Sequence, residues 1–89
     1  MSLSVKNHDT VAESRTYAVV LEPDPDGGFT ALVPALPGVV TEGETVAEAL
    51  ANAQDAIRLC LDDLREQGTP IPASDTGARL ERVEVATGA

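Results

Sequence analysis

The sequence of 89 residues contains few of the residues that build disulfides, nucleophilic sites or large cores. It has one cysteine, one histidine and no tryptophan, and its only aromatic residues are Tyr17 and Phe29. A single cysteine excludes a disulfide within the chain, and small core side chains release little apolar area from water. Because a chain of this length buries only about 60% of its unfolded surface, we expect one domain stabilised by association, as a homo-oligomer (a dimer or larger).

Cations and long apolar runs are also scarce. Six Lys and Arg stand against fifteen Asp and Glu, which gives a formal net charge of −9. This excess argues against direct binding of nucleic acid or of an anionic membrane, because neutralising phosphates needs clustered cations. It suits a basic protein partner, although on charge alone an acidic surface that only keeps the protein soluble is the favoured interpretation. No run reaches membrane-spanning length, and the opening MSLSVKNHDT lacks the apolar region of a signal peptide. We therefore expect a cytoplasmic protein without membrane contact.

The strongest pattern in the chain is an amphipathic helix from Thr45 to Gln67. Thr45 is a natural N-cap, and Glu48 three residues later completes a capping box. Gly68 follows the last periodic residue, where a left-handed turn is common, and Pro70 prevents the helix from resuming. At about 100° per residue, the apolar side chains form one band that we expect to pack on a sheet. The band consists of Val46, Leu50, Ala53, Ile57, Cys60, Leu61 and Leu64.

The opposite side of this helix carries carboxylates nearly in line, with one leucine among them. Acids at Glu48, Asp55, Asp62 and Glu66 surround Leu59. An apolar centre with a charged rim is typical of a protein interface, and a basic partner would match these acids. We therefore predict that these five residues form a protein-contact surface. The alternative is a solvated face with one exposed leucine, which is common on protein surfaces.

Short segments rich in β-branched residues precede the helix. They predict strands at residues 16–22, 29–33 and 39–42. The first two strands are joined by PDPDGG, in which prolines preset φ and glycines supply positive φ. In the second connection, Pro37-Gly38 fits the centre of a type II turn.

Residues 79–86, RLERVEVA, predict a fourth strand with Val83 and Val85 facing inward. A right-handed crossover would place this strand parallel to the first strand and beside it. The order β-β-β-α-β predicts an α+β fold, with an antiparallel sheet packed on one helix. The domain then spans residues 16–86, after a polar N-terminal tail at residues 1–15 and before an end at residues 87–89.

Residues that could carry chemistry are scattered. His8 is the only conventional general base and lies in the predicted tail, and no serine stands in a nucleophile elbow. Asp24 and Asp26 resemble the start of a calcium loop. Thr30 and Leu32, however, stand where further oxygen ligands would be needed.

Three other acids offer an alternative site. Glu22, Glu42 and Glu48 could together bind a divalent metal for nuclease chemistry, although acids at strand ends and helix caps are more often solvated. We therefore predict that the chain is not an enzyme and has no catalytic residue, no metal ligand and no cofactor.

The order and spacing of short motifs between Thr16 and about Ser74 resemble one known family. The motifs are Tyr17 with its strand, Asp26-Gly27-Gly28-Phe29, Pro34, Leu36-Pro37-Gly38, Thr41, Gly43, Thr45, Glu48-Ala49-Leu50 and Pro70-Ile71-Pro72. In this order they resemble the HicB-like antitoxins of bacterial HicA–HicB toxin–antitoxin systems. The resemblance implies a partial ribonuclease H-like fold in the same β-β-β-α-β order. It also implies a function, the binding and masking of a small basic HicA-like toxin that cleaves messenger RNA.

The sequence departs from that family's pattern in two places. Val39 follows Pro-Gly where many relatives have cysteine. Full-length relatives often add a C-terminal helix-turn-helix or ribbon-helix-helix that binds operator DNA. Here no basic helix follows the fourth predicted strand, so we do not expect this chain alone to bind DNA. The acids that a ribonuclease H places mid-strand are not matched between Tyr17 and Leu21. The fold likeness therefore does not imply nuclease activity.

Two other functions remain open at this stage. An orphan domain of this fold could bind a small ligand or another protein as an oligomeric module. A metal-dependent nuclease would use Glu22 and Glu48.

Overall fold

The computed structural model describes residues 14–88. The predicted N-terminal tail, with His8, lies outside the described residues except for Ser14 and Arg15. The elements run in the order β1 (Val20–Pro23), β2 (Phe29–Leu32), β3 (Val40–Gly43) and α1 (Val46–Gln67). The strands form one antiparallel sheet in the order β1-β2-β3, and α1 packs on one face of it. The predicted α+β class is confirmed. No helix among residues 14–88 is long and apolar enough to cross a membrane.

The hairpin between β1 and β2 forms as predicted. Glu22 pairs with Thr30, and the next pair along the ladder is Leu21 with Ala31. In the turn, the Asp24 N–H donates to the Gly28 carbonyl at 3.0 Å, and the Gly27 N–H donates to the Asp24 carbonyl at 3.0 Å. The two glycines have φ of 102° and 81°. Other residues rarely adopt such values, so the glycines fix where the chain reverses.

The connection between β2 and β3 differs from the prediction. The Leu36 N–H donates to the Val33 carbonyl at 2.9 Å, and the Val39 N–H donates to the Leu36 carbonyl at 2.8 Å. Gly38 does not have a positive φ, which a type II turn requires at its third position. The predicted type II turn is therefore wrong, and two successive hydrogen-bonded turns make this connection. They leave Val33, Leu36 and Val39 buried together.

The core consists of two small clusters between the sheet and α1. One contains Ala31, Ala49 and Ala53, and the other contains Val33, Leu36 and Val39. Five of the predicted band residues contribute to these clusters. Ala53 belongs to the first cluster, and the second is covered by Ile57, Cys60, Leu61 and Leu64.

Two residues of the predicted band do not reach the core. Val46 and Leu50 are 45% and 42% exposed, whereas Ala49 is fully buried. The start of α1 lies so close to Gly43 that only a small side chain fits between helix and sheet. Compared with the orientation that the apolar band predicted, the start of the helix is therefore rotated so that Ala49 faces β3.

Both helix ends carry the predicted caps. The Thr45 Oγ1 accepts a hydrogen bond from the Glu48 N–H at 3.1 Å. The Glu48 Oε1 accepts from the N–H of Glu44, one residue before the cap, rather than from Thr45 itself. At the other end Gly68 has φ of 72°, and its N–H donates to the Arg65 carbonyl at 3.1 Å. Both ends therefore satisfy backbone groups that have no partner inside the helix.

The predicted fourth strand is wrong for this single chain. Residues 79–86 form no strand, and Leu80, Val83 and Val85 are 62%, 81% and 72% exposed. The inward orientation expected for the two valines is therefore not found. The Ala78 N–H donates to the Asp75 carbonyl at 2.8 Å, so a turn at residues 75–78 precedes this segment.

A shorter segment lies in the position expected for that strand. The Asp75 N–H donates to the Thr16 carbonyl at 3.1 Å, and the Ala18 N–H donates to the Asp75 Oδ1 at 2.8 Å. The Thr16 N–H donates to the Ser74 Oγ at 3.0 Å. Two side-chain oxygens thus take the place of a neighbouring strand. Residues 16–19, which were predicted as part of the first strand, lie before β1 and form no regular element.

Candidate protein-contact face on the helix

The structure brings the predicted contact residues to one exposed side of α1. We call the set Glu48, Asp55, Leu59, Asp62 and Glu66 the acidic face, and each of its residues is exposed. Leu59 is 65% exposed. Residues three and four apart are neighbours on a helix surface, so Leu59 lies between Asp55 and Asp62. The acidic face points away from the sheet, opposite the side of α1 that carries Ala49 and Ala53.

Glu48 differs from the other members because it holds the start of the helix. Its carboxylate accepts the Glu44 N–H at 2.5 Å. With a rise of about 1.5 Å per residue, its Cα lies roughly 16 Å from that of Leu59 along the helix axis. The part of the acidic face that surrounds Leu59 is therefore formed by the residues from Asp55 onward.

Two arginines reduce the negative charge of the acidic face, and the sequence prediction left them out. The Arg58 Nη2 lies 2.8 Å from the Asp55 Oδ1, and the Arg65 Nη1 lies 3.7 Å from the Asp62 Oδ1. Both pairs have the i,i+3 spacing of surface neighbours on a helix, from which the sequence could have predicted them. Exposed pairs of this kind contribute roughly 0.2–1 kcal/mol. They are therefore weak enough to be exchanged for contacts with a partner.

The prediction also missed Asp63, which is exposed and follows Leu59 by four residues. That spacing makes Asp63 a surface neighbour of Leu59, and it forms no ion pair with any residue of 14–88. On the other flank, Arg58 and Arg65 line an open cleft of about 490 Å³ together with Asp62. The surroundings of Leu59 are therefore acidic on one flank and mixed on the other.

A second group of acids lines an open cleft at the turn end of the sheet. Asp24, Glu42, Glu44 and Glu48 surround a space of about 320 Å³, and Glu22 does not line it. Asp24 is engaged there, because its Oδ1 accepts the Thr30 hydroxyl at 2.8 Å. Within residues 14–88, no three His, Cys, Asp or Glu side chains are placed to hold a metal ion. The alternative metal cluster of Glu22, Glu42 and Glu48 is therefore not assembled.

These observations define a small α+β domain in which helix α1 exposes an acidic surface. A family model described as the HicB-like antitoxin of bacterial toxin–antitoxin systems matches residues 17–86. The chain belongs to the HicB-like antitoxin family. Membership of this family implies a toxin partner.

Individual relatives agree with the family match. UPF0150 protein Ta0767 of Thermoplasma acidophilum is 43% identical over 56 residues, which are 63% of this chain and 81% of the relative. UPF0150 protein ssr1765 of Synechocystis is 39% identical over 59 residues, which are 66% of this chain and 75% of the relative. Antitoxin HicB of Escherichia coli K12 is 41% identical over 56 residues, which are 63% of this chain but 41% of that protein. The match to HicB thus covers less than half of HicB.

Proposed function

We propose that this chain is an antitoxin that binds a small, basic, HicA-like toxin and prevents it from cleaving messenger RNA. It acts by covering the toxin surface, so no residue of this chain performs chemistry and the protein is not an enzyme. Because such a toxin acts on messenger RNA, we expect the complex in the cytoplasm. Family membership supports the antitoxin role. The observation that supports the mode of binding is the exposed Leu59 with acids around it.

The toxin-binding surface that we propose is the acidic face, extended by Asp63. Leu59 would supply the desolvated centre, because an apolar side chain gains most when a partner removes it from water. Asp55, Asp62 and Asp63 would then meet lysines and arginines of the toxin at the rim. The net charge of −9 would draw a basic toxin toward the chain before any contact forms.

The experiment uses the product of a short, basic open reading frame beside this gene, purified and mixed with the full chain. Dissociation constants are measured for the parent, Leu59→Ser and Asp55→Lys. We expect each variant to bind at least about tenfold more weakly, equivalent to about 1.4 kcal/mol. Asp26→Lys is the matched control, since Asp26 is exposed in the hairpin turn and the charge change equals that of Asp55→Lys.

The outcomes separate the function from its surface. If the parent neither binds the basic protein nor stops its RNA cleavage, the antitoxin proposal is wrong, and another partner or ligand becomes the better explanation. If the parent binds and all three variants bind equally well, the role stands and the acidic face is not the interface. Melting temperatures near that of the parent show that the variants are folded.

We also propose that the chain is a homo-oligomer. Among residues 14–88, the buried core consists only of Ala31, Val33, Leu36, Val39, Ala49 and Ala53. Such a small core leaves little stability for a monomer. Sedimentation equilibrium at micromolar concentration should give more than the monomer mass, and a stable monomer would contradict this proposal.

A further inference from the structure

Residues 79–86, which we call the C-terminal segment, have the sequence of a strand but no strand partner. Leu80, Val83 and Val85 are all exposed, and β-branched residues in alternation are typical of strands. The backbone of the segment forms no hydrogen bond with any residue of 14–88. The family match extends to residue 86. The segment therefore belongs to the domain, although its apolar side chains are not covered by any residue of 14–88.

The outer edge of β1 is open along Val20–Pro23. β1 pairs only with β2 among the described elements. Ser74 and Asp75 cover the chain just before it, at Thr16 and Ala18. Beyond that point no strand within residues 14–88 neighbours the edge, and unpaired edges of this kind accept strands from other chains.

An open cleft lies on each face of the sheet at the start of this edge, beside Val19 and Val20. On the helix side, Val19, Leu50 and Ile57 help to line a space of about 260 Å³. On the other side, Val20 and Pro34 help to line a space of about 410 Å³, which separates them from the chain's own residues 78–81. Both clefts are bordered by apolar side chains that a further strand would cover.

The C-terminal segment matches these two clefts. Side chains alternate between the two faces of a strand, so Val83 and Val85 would point to the same side. If that side faces the helix, they would cover Leu50 and lie near Val46, which are the two band residues that the core leaves exposed. One pairing event would thus remove both sets of exposed apolar side chains from water.

We propose that the C-terminal segment of one copy pairs with the edge of β1 in a second copy, and that the exchange is reciprocal. A turn at Asp75–Ala78 precedes the segment, which forms no backbone hydrogen bond with β1 of its own copy. A reciprocal exchange closes as a two-fold symmetric dimer and leaves neither segment unpaired. At about 3.3 Å per residue, the eight-residue segment spans roughly 26 Å, which is ample for the four-residue strand.

Charge favours this segment as the contact between two acidic copies. Arg79 and Arg82 balance Glu81 and Glu84, so the segment is neutral in a chain of net charge −9. Two copies can therefore approach through it with less repulsion than through the acidic face. This strand pairing would be the contact surface of the self-association proposed above, and it does not depend on toxin binding.

Disulfide trapping tests which chains are paired. In the full chain carrying Cys60→Ala, Leu50→Cys is introduced into one preparation and Val83→Cys or Val85→Cys into another. After mixing and mild oxidation, we expect a disulfide-linked heterodimer. The control replaces Leu50→Cys by Leu59→Cys, on the opposite side of α1, and should give at least tenfold less heterodimer. With both cysteines in one chain, a link that forms only within that chain at high dilution would overturn the proposal, because the segment would then pair with its own β1.

A proline variant tests the need for strand pairing. Val83→Pro removes a backbone donor where the segment would join the sheet, whereas Thr87→Pro places the same residue just outside it. By sedimentation equilibrium, Val83→Pro should dissociate at least tenfold more readily than the parent, and Thr87→Pro should match the parent. A dimer that is equally stable in both variants, or a parent that stays monomeric at about 100 μM, overturns the proposal.

Discussion

Gly43, the last residue of β3, lies directly against the backbone of Ala49 in the first turns of α1. A β-carbon added to Gly43 would lie 2.7 Å from the Ala49 Cα, a distance that real side chains do not tolerate. This contact explains why Ala49 is buried while Leu50 is not. It sets both the distance and the rotation of the helix on the sheet.

Gly43→Ala should therefore destabilise the domain. The helix must move off β3 to admit the methyl group, and overpacking of this kind costs about 1–3 kcal/mol. Urea unfolding followed by circular dichroism measures the loss. Gly38→Ala is the control, because a β-carbon at Gly38 meets nothing within 4 Å. Equal stability of the two variants would show that the helix does not approach the sheet so closely.

Two leucine-to-alanine changes should differ because the leucines differ in burial. Leu36 is 5% exposed, and removing such a side chain leaves a cavity that costs about 2–5 kcal/mol. Leu50→Ala should cost clearly less in dilute protein. If the proposed dimer covers Leu50, the difference should shrink as protein concentration rises. Thermal unfolding at several concentrations measures both effects, and a Leu50→Ala loss as large as that of Leu36→Ala in the monomer would contradict this burial pattern.

The helix cap gives a third expectation. The Thr45 hydroxyl accepts the Glu48 N–H, and losing an N-cap side chain typically costs about 1 kcal/mol. Thr45→Ala should show this loss in chemical unfolding. Thr45→Ser keeps the hydroxyl and should remain within a few tenths of a kcal/mol of the parent. A serine variant as unstable as the alanine variant would mean that the methyl group, and not the hydrogen bond, stabilises this position.

The parts of the fold that the sequence predicted well depend on neighbouring residues. The cap at Thr45, the left-handed Gly68 and the glycine turn at Gly27-Gly28 each need only a few adjacent residues, and all three are present. The positions of the acidic face also follow from helix periodicity alone. Its ion pairs with Arg58 and Arg65 follow the i,i+3 spacing of the same helix and were predictable from it.

The parts that the sequence did not predict depend on distant residues. Periodicity gave an apolar band on α1 but not which edge of the band would touch the sheet, because that is set by the contact of Gly43 with Ala49. The pattern of residues 79–86 indicates a tendency to form a strand but does not indicate which strand it would pair with. No local pattern indicates that Asp75 would bond to Ala18, 57 residues earlier in the chain.

Asp75 should stabilise the contact between its own segment and the residues just before β1. Its Oδ1 accepts the Ala18 N–H at 2.8 Å, and a hydrogen bond to a charged group contributes about 1.5–3 kcal/mol. Asp75→Ala should lower the free energy of unfolding by about that amount and speed hydrogen exchange at the Ala18 amide. Asp75→Asn keeps an oxygen acceptor and should lose less. If exchange at Ala18 is unchanged in Asp75→Ala, the bond does not protect this amide in solution.

Toxin binding should depend on salt mainly through the association rate. Attraction between the net charge of −9 and a basic toxin acts at long range, and physiological salt screens charges separated by more than about 8 Å. Asp55→Lys and Asp26→Lys change the net charge equally, so stopped-flow measurements at low salt should show similar reductions in association rate for both. Only Asp55→Lys should also speed dissociation, because only Asp55 lies beside Leu59 in the proposed interface.

If the association rate of the parent is the same at low and high salt, electrostatic steering does not operate. If Asp26→Lys speeds dissociation as much as Asp55→Lys does, the toxin contacts the hairpin end of the sheet instead of the acidic face.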